Sequence, residues 1–202
     1  MNHLLKTLLA IVLLLALADT APAAPPKMRP YAGIGLMLVP AGTTSVGASL
    51  PLYREPALVR IGELELARVP AYEWIFGASP SFKPLIVMAR KGHWLRVAYD
   101  DAGREGWLTP PRQIPFQSWD QFFKGNMSRL LPGLQKKYYQ AFQNPGDLLL
   151  RTLTSEQRFK VLQLEGDWAM VLIGQDTLGW LRWRDEDGRL IIGIITEPKR
   201  SS

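Results

Sequence analysis

Cysteine is absent from the chain. Disulfides, thiolate metal sites, a cysteine nucleophile and a lipid-modified N-terminal cysteine are thereby all excluded. Histidine is nearly as scarce, with only His3 and His93. His93 cannot form a histidine cluster, and no glycine-rich phosphate loop or metal-ligand spacing accompanies it, so it reads as an ordinary strand or turn residue. Charged residues make up only 21% against 47% hydrophobic, which excludes a mainly disordered chain. The apolar run from Leu8 to Ala18 falls short of the roughly 20 residues that a spanning helix needs.

What that run does fit is a secretory signal. A short start carrying Lys6, the apolar stretch, and then Ala21-Pro22-Ala23 give the n-region, h-region and A-x-A order of a signal peptide over residues 1–23. An uncleaved anchor is the alternative reading. Cleavage removes one lysine and one aspartate, leaving the formal charge at +6. A basic exported protein, periplasmic or secreted, suits anionic surroundings such as cell wall, lipid headgroups or an acidic partner. No nucleic-acid motif is present, and no membrane span is expected once the signal is removed. Residues 24–30, "APPKMRP", read as a proline-rich tether.

Beyond Tyr31 the pattern is that of short strands. "LVRIGELELARV" alternates, and "PAGTTSVG" divides the stretches before it as a loop. "GHWLRVAYDDAGREGWL", residues 92–108, is a hairpin. Trp94, Arg96 and Ala98 fall on one face, with Leu95, Val97 and Tyr99 on the other, and "DDAG" supplies the turn. "GDWAMVLIGQDTLGWL", residues 166–181, says the same thing again, and Asp185–Gly188 turns a further hairpin. Between the two copies the period changes. Ser118 and Gln121 have the form of a capping box ahead of Trp119, Phe122 and Phe123. Pro132 is followed by Leu134, Tyr138, Ala141 and Phe142 at helical spacing. Residues 112–146 are therefore expected to be a short helical connector, closed by "NPG".

These residues resemble the bacterial SH3-like (SH3b) domain family, whose pattern runs from an "lyxxP" strand and turn through "gxWxxV" to a final "GWL". The first copy offers Leu52, Tyr53 and Pro56, then Gly92, Trp94, Val97, Gly106, Trp107 and Leu108. The second offers Gly166, Trp168, Val171, Gly179, Trp180 and Leu181, with "RTLTSEQ" where the proline-marked turn belongs. The resemblance implies a mainly β chain: two small SH3-like β-barrels joined by the helical connector. The first barrel would span residues 31–111, with the insert "AYEWIFGASPSFKPL", and the second residues 147–198.

Such modules bind rather than catalyse. No catalytic residue, metal or cofactor is expected, and "DEDG" at 185–188 lacks the longer loop and distal glutamate of a calcium site. Trp94, Trp107, Trp168 and Trp180 are expected to fill the cores, and Trp74 and Trp183 to be partly exposed. Aromatic faces beside arginines offer contact area at low entropic cost. Tyr72, Trp74, Phe76, Arg182, Trp183 and Arg184 are accordingly the candidate ligand residues. The basic side chains of Lys124, Arg129, Lys136 and Lys137 read as a solvated face. By the resemblance, the partner is a cell-wall peptide or an envelope protein. A structural subunit of an envelope complex, using the connector and residues 70–84 as its interface, is the alternative.

Overall fold

The computed structural model describes residues 28–40, 48–77 and 81–195. The expected signal peptide, the first part of the tether and residues 196–198 lie outside these. The protein is mainly β, with two seven-stranded antiparallel sheets. The first holds β1 (Gly35–Pro40), β2 (Ser49–Glu55), β3 (Leu58–Glu65), β4 (Phe82–Lys91), β5 (Trp94–Ala98), β6 (Glu105–Leu108) and β7 (Phe116–Ser118). The second holds β8 (Met127–Leu130), β9 (Gln140–Asn144), β10 (Asp147–Thr152), β11 (Arg158–Glu165), β12 (Trp168–Ile173), β13 (Thr177–Arg182) and β14 (Ile192–Ile194).

Their orders are β3-β2-β6-β5-β4-β1-β7 and β10-β9-β13-β12-β11-β8-β14. The second is the first advanced by seven strands, so the repetition glimpsed in the two hairpins runs through both sheets entire. Even the irregularities repeat. Met88 bulges from the β4–β5 ladder as Leu162 does from β11–β12, and Ile61 from β2–β3 as Leu150 does from β9–β10. A bulge adds one unpaired residue and bends its strand, so both sheets bend at the same places. Neither sheet closes into a barrel: β3 and β7, like β10 and β14, are end strands.

The repeat also explains the recurring Gly-Trp. Gly106 and Gly179 are buried, and a Cβ on Gly106 would meet Leu52 Cδ2 at 3.2 Å, while one on Gly179 would meet Leu150 Cδ2 at 3.0 Å. The hairpin β2–β3, or β9–β10, crosses each glycine closely enough that a leucine side chain must give way to even a Cβ.

Only part of the expected connector is helical. Ser118 caps α2 (Trp119–Phe123) with the reciprocal bonds of a capping box, and a lone turn of helix, α1 (Glu73–Phe76), sits in the insert of the first repeat. From Met127 onward the connector is already the second sheet. Lys136–Tyr139 make a single 3-10 turn and residues 140–144 are strand β9. Ala141 is buried and Phe142 faces outward, a period of two in place of the helical one. Asn144-Pro145-Gly146 then turns from β9 to β10, as Glu55-Pro56-Ala57 turns from β2 to β3. The proline-marked turn of the second repeat is thus this one, and "RTLTSEQ" lies beyond it.

The two sheets share a core. One cluster belongs to the first sheet alone and includes Met37, Leu85, Val87, Val97 and Leu108. The other gathers Leu36, Ile86 and α1's Ile75 and Phe76 with Trp119, Phe122 and Phe123 and the interior of the second sheet. Strand β4 is buried on both faces from Pro84 to Val87 for this reason: Leu85 and Val87 enter one cluster and Ile86 the other. Trp119 sits at the centre, stacked on Phe123 at 5.4 Å and Phe76 at 6.3 Å, and its Nε1 donates to the Ala32 carbonyl at 2.7 Å. Each large side chain buried here contributes about 1.5–3 kcal/mol relative to exposure.

The last residues of the expected tether are not free. Arg29 Nη2 donates to Asp185 at 2.7 Å, Leu190 N to the Pro30 carbonyl at 3.1 Å, and Ala32 N to the Gly188 carbonyl at 2.8 Å. The N-terminal strap is latched onto the 185–190 hairpin of the second repeat. Among the described residues no helix is long and apolar enough to cross a membrane.

Candidate ligand-binding groove

The six sequence-selected residues scatter. Phe76 and Trp183 are buried, at 1% and 4% exposure, and both belong to the shared core; Trp183 contacts Trp119 at 6.0 Å and its Nε1 donates to the Gly166 carbonyl at 2.9 Å. The expectation that Trp183 is partly exposed is corrected: the hairpin that carries it folds back over α2. Trp74 is half-buried, packs against the same core and accepts a bond from Arg129 Nη2 at 3.4 Å through its carbonyl. The buried side chains of α1 and α2, Ile75, Phe76, Trp119, Phe122 and Phe123, help to fill the junction between the sheets. Arg184 lies over the Trp183 ring at 5.0 Å and bonds Asp167 at 2.6 Å.

Tyr72 lines a cleft of about 240 Å³ at the junction, with Tyr31, Met88, Asp101, Glu105 and Arg189. Its φ of 44° is left-handed, which is uncommon for an aromatic residue. Burial pushes its hydroxyl pKa up, and the negative charges of Asp101 and Asp100 push it the same way. The arginines here serve the latch: Arg29 bonds Asp185, and Arg189 lies over Tyr31 at 4.1 Å while donating to the Arg29 carbonyl at 2.5 Å. Little charge is left for a ligand.

Arg182 leads to a better furnished place. With Lys137, Tyr138, Phe142, Trp168 and Glu186 it lines a groove of about 230 Å³ on the outer face of the second sheet. Register places it there, because Trp168 pairs with Arg182 and Phe142 with Trp180, and paired residues of an antiparallel ladder share a face. Phe142 meets Trp168 edge to face at 5.6 Å, and the Arg182 guanidinium lies 5.0 Å over the Trp168 ring. Gly146, at φ 74°, lets the backbone turn past that ring.

At the other end Glu186 accepts from the Tyr138 hydroxyl and lies 3.0 Å from Lys137 Nζ. These bonds, Tyr138's first and Lys137's second, hold the Glu186 carboxyl down at about 2. Lys137 is raised in turn by Glu186, while Tyr138 is raised chiefly by burial and then by the same carboxylate. Lys137 is therefore neutralised within the groove. Arg182 is held more loosely: its closest approach to Asp167 is 3.6 Å, beyond hydrogen-bond reach, and its Nη1 has no hydrogen-bond partner among the described residues.

The core expectation for the hairpin tryptophans is also corrected. Trp94, Trp168 and Trp180 are half-buried on outer faces and only Trp107 is buried, because glycine rather than tryptophan occupies the inward position of each Gly-Trp pair. The first repeat keeps the edge-to-face pair, Tyr53 on Trp94 at 5.3 Å, but the residue corresponding to Arg182 is Thr109. Sequence reasoning missed Phe142, Trp168 and Lys137 as groove residues; the signal was the repeat itself, once Phe142-Gln143-Asn144-Pro145 is aligned with Tyr53-Arg54-Glu55-Pro56. His93 is exposed, and no cluster of three or more potential metal ligands occurs among the described residues. The chain matches no protein-family model, and no curated protein matches it.

Proposed function

We propose that the protein is an exported, non-enzymatic binding module of the cell envelope, periplasmic or secreted, made of two SH3-like units. Its ligand is a carboxylate-bearing peptide, from the wall or from an envelope protein, taken by the groove of the second unit. The observation that carries this reading is the Phe142–Trp168–Arg182 wall. Two aromatic faces at right angles give contact area on preordered side chains, and beside them stands a half-buried guanidinium, the group that matches a carboxylate. Support for two SH3-like units comes from the duplicated strand order and from the W-x-x-V and Gly-Trp positions falling at equivalent places in both sheets.

The test is co-sedimentation of the chain from Ala24 onward with purified peptidoglycan sacculi at low and moderate salt. Pelleting that survives moderate salt and falls about tenfold in Trp168→Ala and Arg182→Ala supports a wall peptide as ligand. Retention in the supernatant, or pelleting at low salt alone, removes the wall ligand. Unchanged pelleting in both variants removes the groove.

A further inference from the structure

The register that aligns the two sheets also aligns the segments that lead into them. Leu36 pairs with Ile86 as Met127 pairs with Lys160, and Ile86 and Lys160 stand at the same distance from their bulges. Counted back from Leu36 and Met127, residues 28–32 correspond to residues 119–123, which are α2. The two segments go to different places. α2 stays on its own repeat and lies across the end of the second sheet beside the Gly166-Asp167 turn. There Asp120 Oδ1 accepts from Leu164 N at 3.1 Å, and Trp119 and Phe123 contact Trp183 at 6.0 and 6.3 Å. Residues 28–32 leave theirs, carried to the 185–190 hairpin by the Arg29–Asp185 bond and by the backbone bonds of Pro30 and Ala32. The equivalent end of the first sheet, beside the Gly92-His93 turn, is not covered from within its own repeat. A groove of about 320 Å³ opens there.

The groove has an apolar side and a basic side. Pro110, Pro111 and Phe116 make the first; proline fixes φ, and Ile114 N donates to the Pro111 carbonyl at 3.0 Å, so this wall is preset. Arg90, His93 and Arg112 make the second, all three exposed, and no carboxylate lines the groove among the described residues. Arg90 Nε donates to the Gly92 carbonyl at 2.9 Å, and neither arginine makes an ion pair among the described residues. In the second repeat Arg90, Lys91 and His93 become Leu164, Glu165 and Asp167, and Asp167 is paired with Arg184 at 2.6 Å. Unpaired basic charge is gathered at the end that α2's counterpart has left.

We infer that this groove docks a short acidic segment of a partner protein, one that carries an aromatic side chain beside its carboxylates. α2 is the internal precedent, since it seats aromatic rings and one carboxylate, Asp120, on the same end of the second sheet. In the first repeat the proline wall takes the ring at low ordering cost, and the two arginines meet the carboxylates. The inference goes beyond the ligand reading and does not depend on it, because this groove shares no residue with the one at Trp168 and Arg182.

Panning a phage-displayed random dodecapeptide library on the chain from Ala24 onward, followed by fluorescence anisotropy with the enriched peptides, tests it. The expected result is enrichment of peptides that combine aspartate or glutamate with an aromatic residue. At least one should bind about tenfold or more weakly to Arg112→Glu and to Arg90→Glu, and equally well to Arg182→Ala. Arg112→Glu is the decisive variant: its side chain is exposed and has no partner among the described residues, so far-ultraviolet circular dichroism is expected to be unchanged. Replacing the peptide's aromatic residue by alanine is expected to weaken binding as well. Absence of enrichment overturns the inference, as do enriched peptides without acidic residues and peptides indifferent to Arg112→Glu. Acidic peptides lost only with Arg182→Ala overturn it too while upholding the other groove, and binding that ignores the aromatic residue reduces the site to charge attraction and overturns it.

Discussion

Gly193 of β14 lies against the backbone of α1 across the junction of the two repeats, and Gly193→Ala puts a number on that contact. An added Cβ would lie 2.3 Å from the Ile75 carbonyl oxygen and 3.1 Å from Ile75 C and Cα. A comfortable carbon–oxygen contact is about 3.3–3.6 Å, so α1 and β14 must part by about 1 Å. No rotamer relieves this, because the obstacle is backbone on both sides, and the strain passes to Ile75, Phe76 and the Trp119 stack, which are buried in one cluster. Overpacking of this kind costs about 1–3 kcal/mol, and the upper end is expected here. With urea slopes of about 1–3 kcal/mol per molar, a cost of about 3 kcal/mol lowers the unfolding midpoint by about 1–3 M. Gly106→Ala is the control. Its nearest neighbours are side-chain tips, Leu52 Cδ2 at 3.2 Å and Ile61 Cδ1 at 3.5 Å, which can rotate away, so its cost stays under about 1 kcal/mol. Tryptophan fluorescence during urea unfolding reads both. A Gly193→Ala protein within about 0.5 kcal/mol of the parent, or one less damaged than Gly106→Ala, refutes the claim that the repeats are locked by backbone contact at this point.

Two further outcomes rest on comparing one repeat with the other and on the groove charges. Ala57 holds φ 60° in the β2–β3 turn, where the corresponding residue of the second repeat is Gly146 at 74°. The left-handed region costs a non-glycine residue about 1–2 kcal/mol and glycine gives back about 0.5–1 in chain entropy, so Ala57→Gly is expected to raise the denaturation midpoint, and a fall would sink the turn equivalence. Glu186 has its carboxyl lowered from 4.5 to about 2 in the folded state. Its contribution is thus complete above about pH 4.5 and lost as pH falls towards 2, so the parent should lose stability over that window and Glu186→Gln should lose less. Equal acid sensitivity of the two proteins would show that the Tyr138–Lys137 contacts do not form in solution.

Which parts of this architecture could be read from sequence follows from where the determinants are local. The hairpins at 92–108 and 166–181 were legible because alternation and turn chemistry lie within a few residues, and the capping box at Ser118 was legible for the same reason. Strand β9 was not. Leu134, Tyr138, Ala141 and Phe142 carry a helical spacing, and only pairing with β10 and β13 makes Ala141 face in and Phe142 face out. Tertiary pairing overrides a local period when the strand has two neighbours. Misreading β9 also hid the second Pro-marked turn, and with it the match between Phe142 and Tyr53. Trp183 was misjudged through the same kind of blindness. A tryptophan flanked by arginines looks like a surface anchor, but the 185–190 hairpin is held down by the Arg29 latch from the far end of the chain, a contact that no local pattern announces.

The duplication separates what the fold demands from what the surface is for. Positions that repeat in kind are those facing inward or bending the sheet: Gly106 and Gly179 under the crossing hairpin, Met88 and Leu162 at the bulges, Val97 and Val171 in the cores. Stability constrains these in both copies because a cavity or clash there costs kilocalories wherever it occurs. Outward positions are free of that demand, and there the copies part: Arg96 against Met170, Glu105 against Leu178, Arg60 against Leu149, Thr109 against Arg182. Replacing charge by hydrocarbon on a solvated sheet face gains nothing for a monomer and exposes it to association. The apolar outer face of the second repeat is therefore the part of the molecule that folding does not account for.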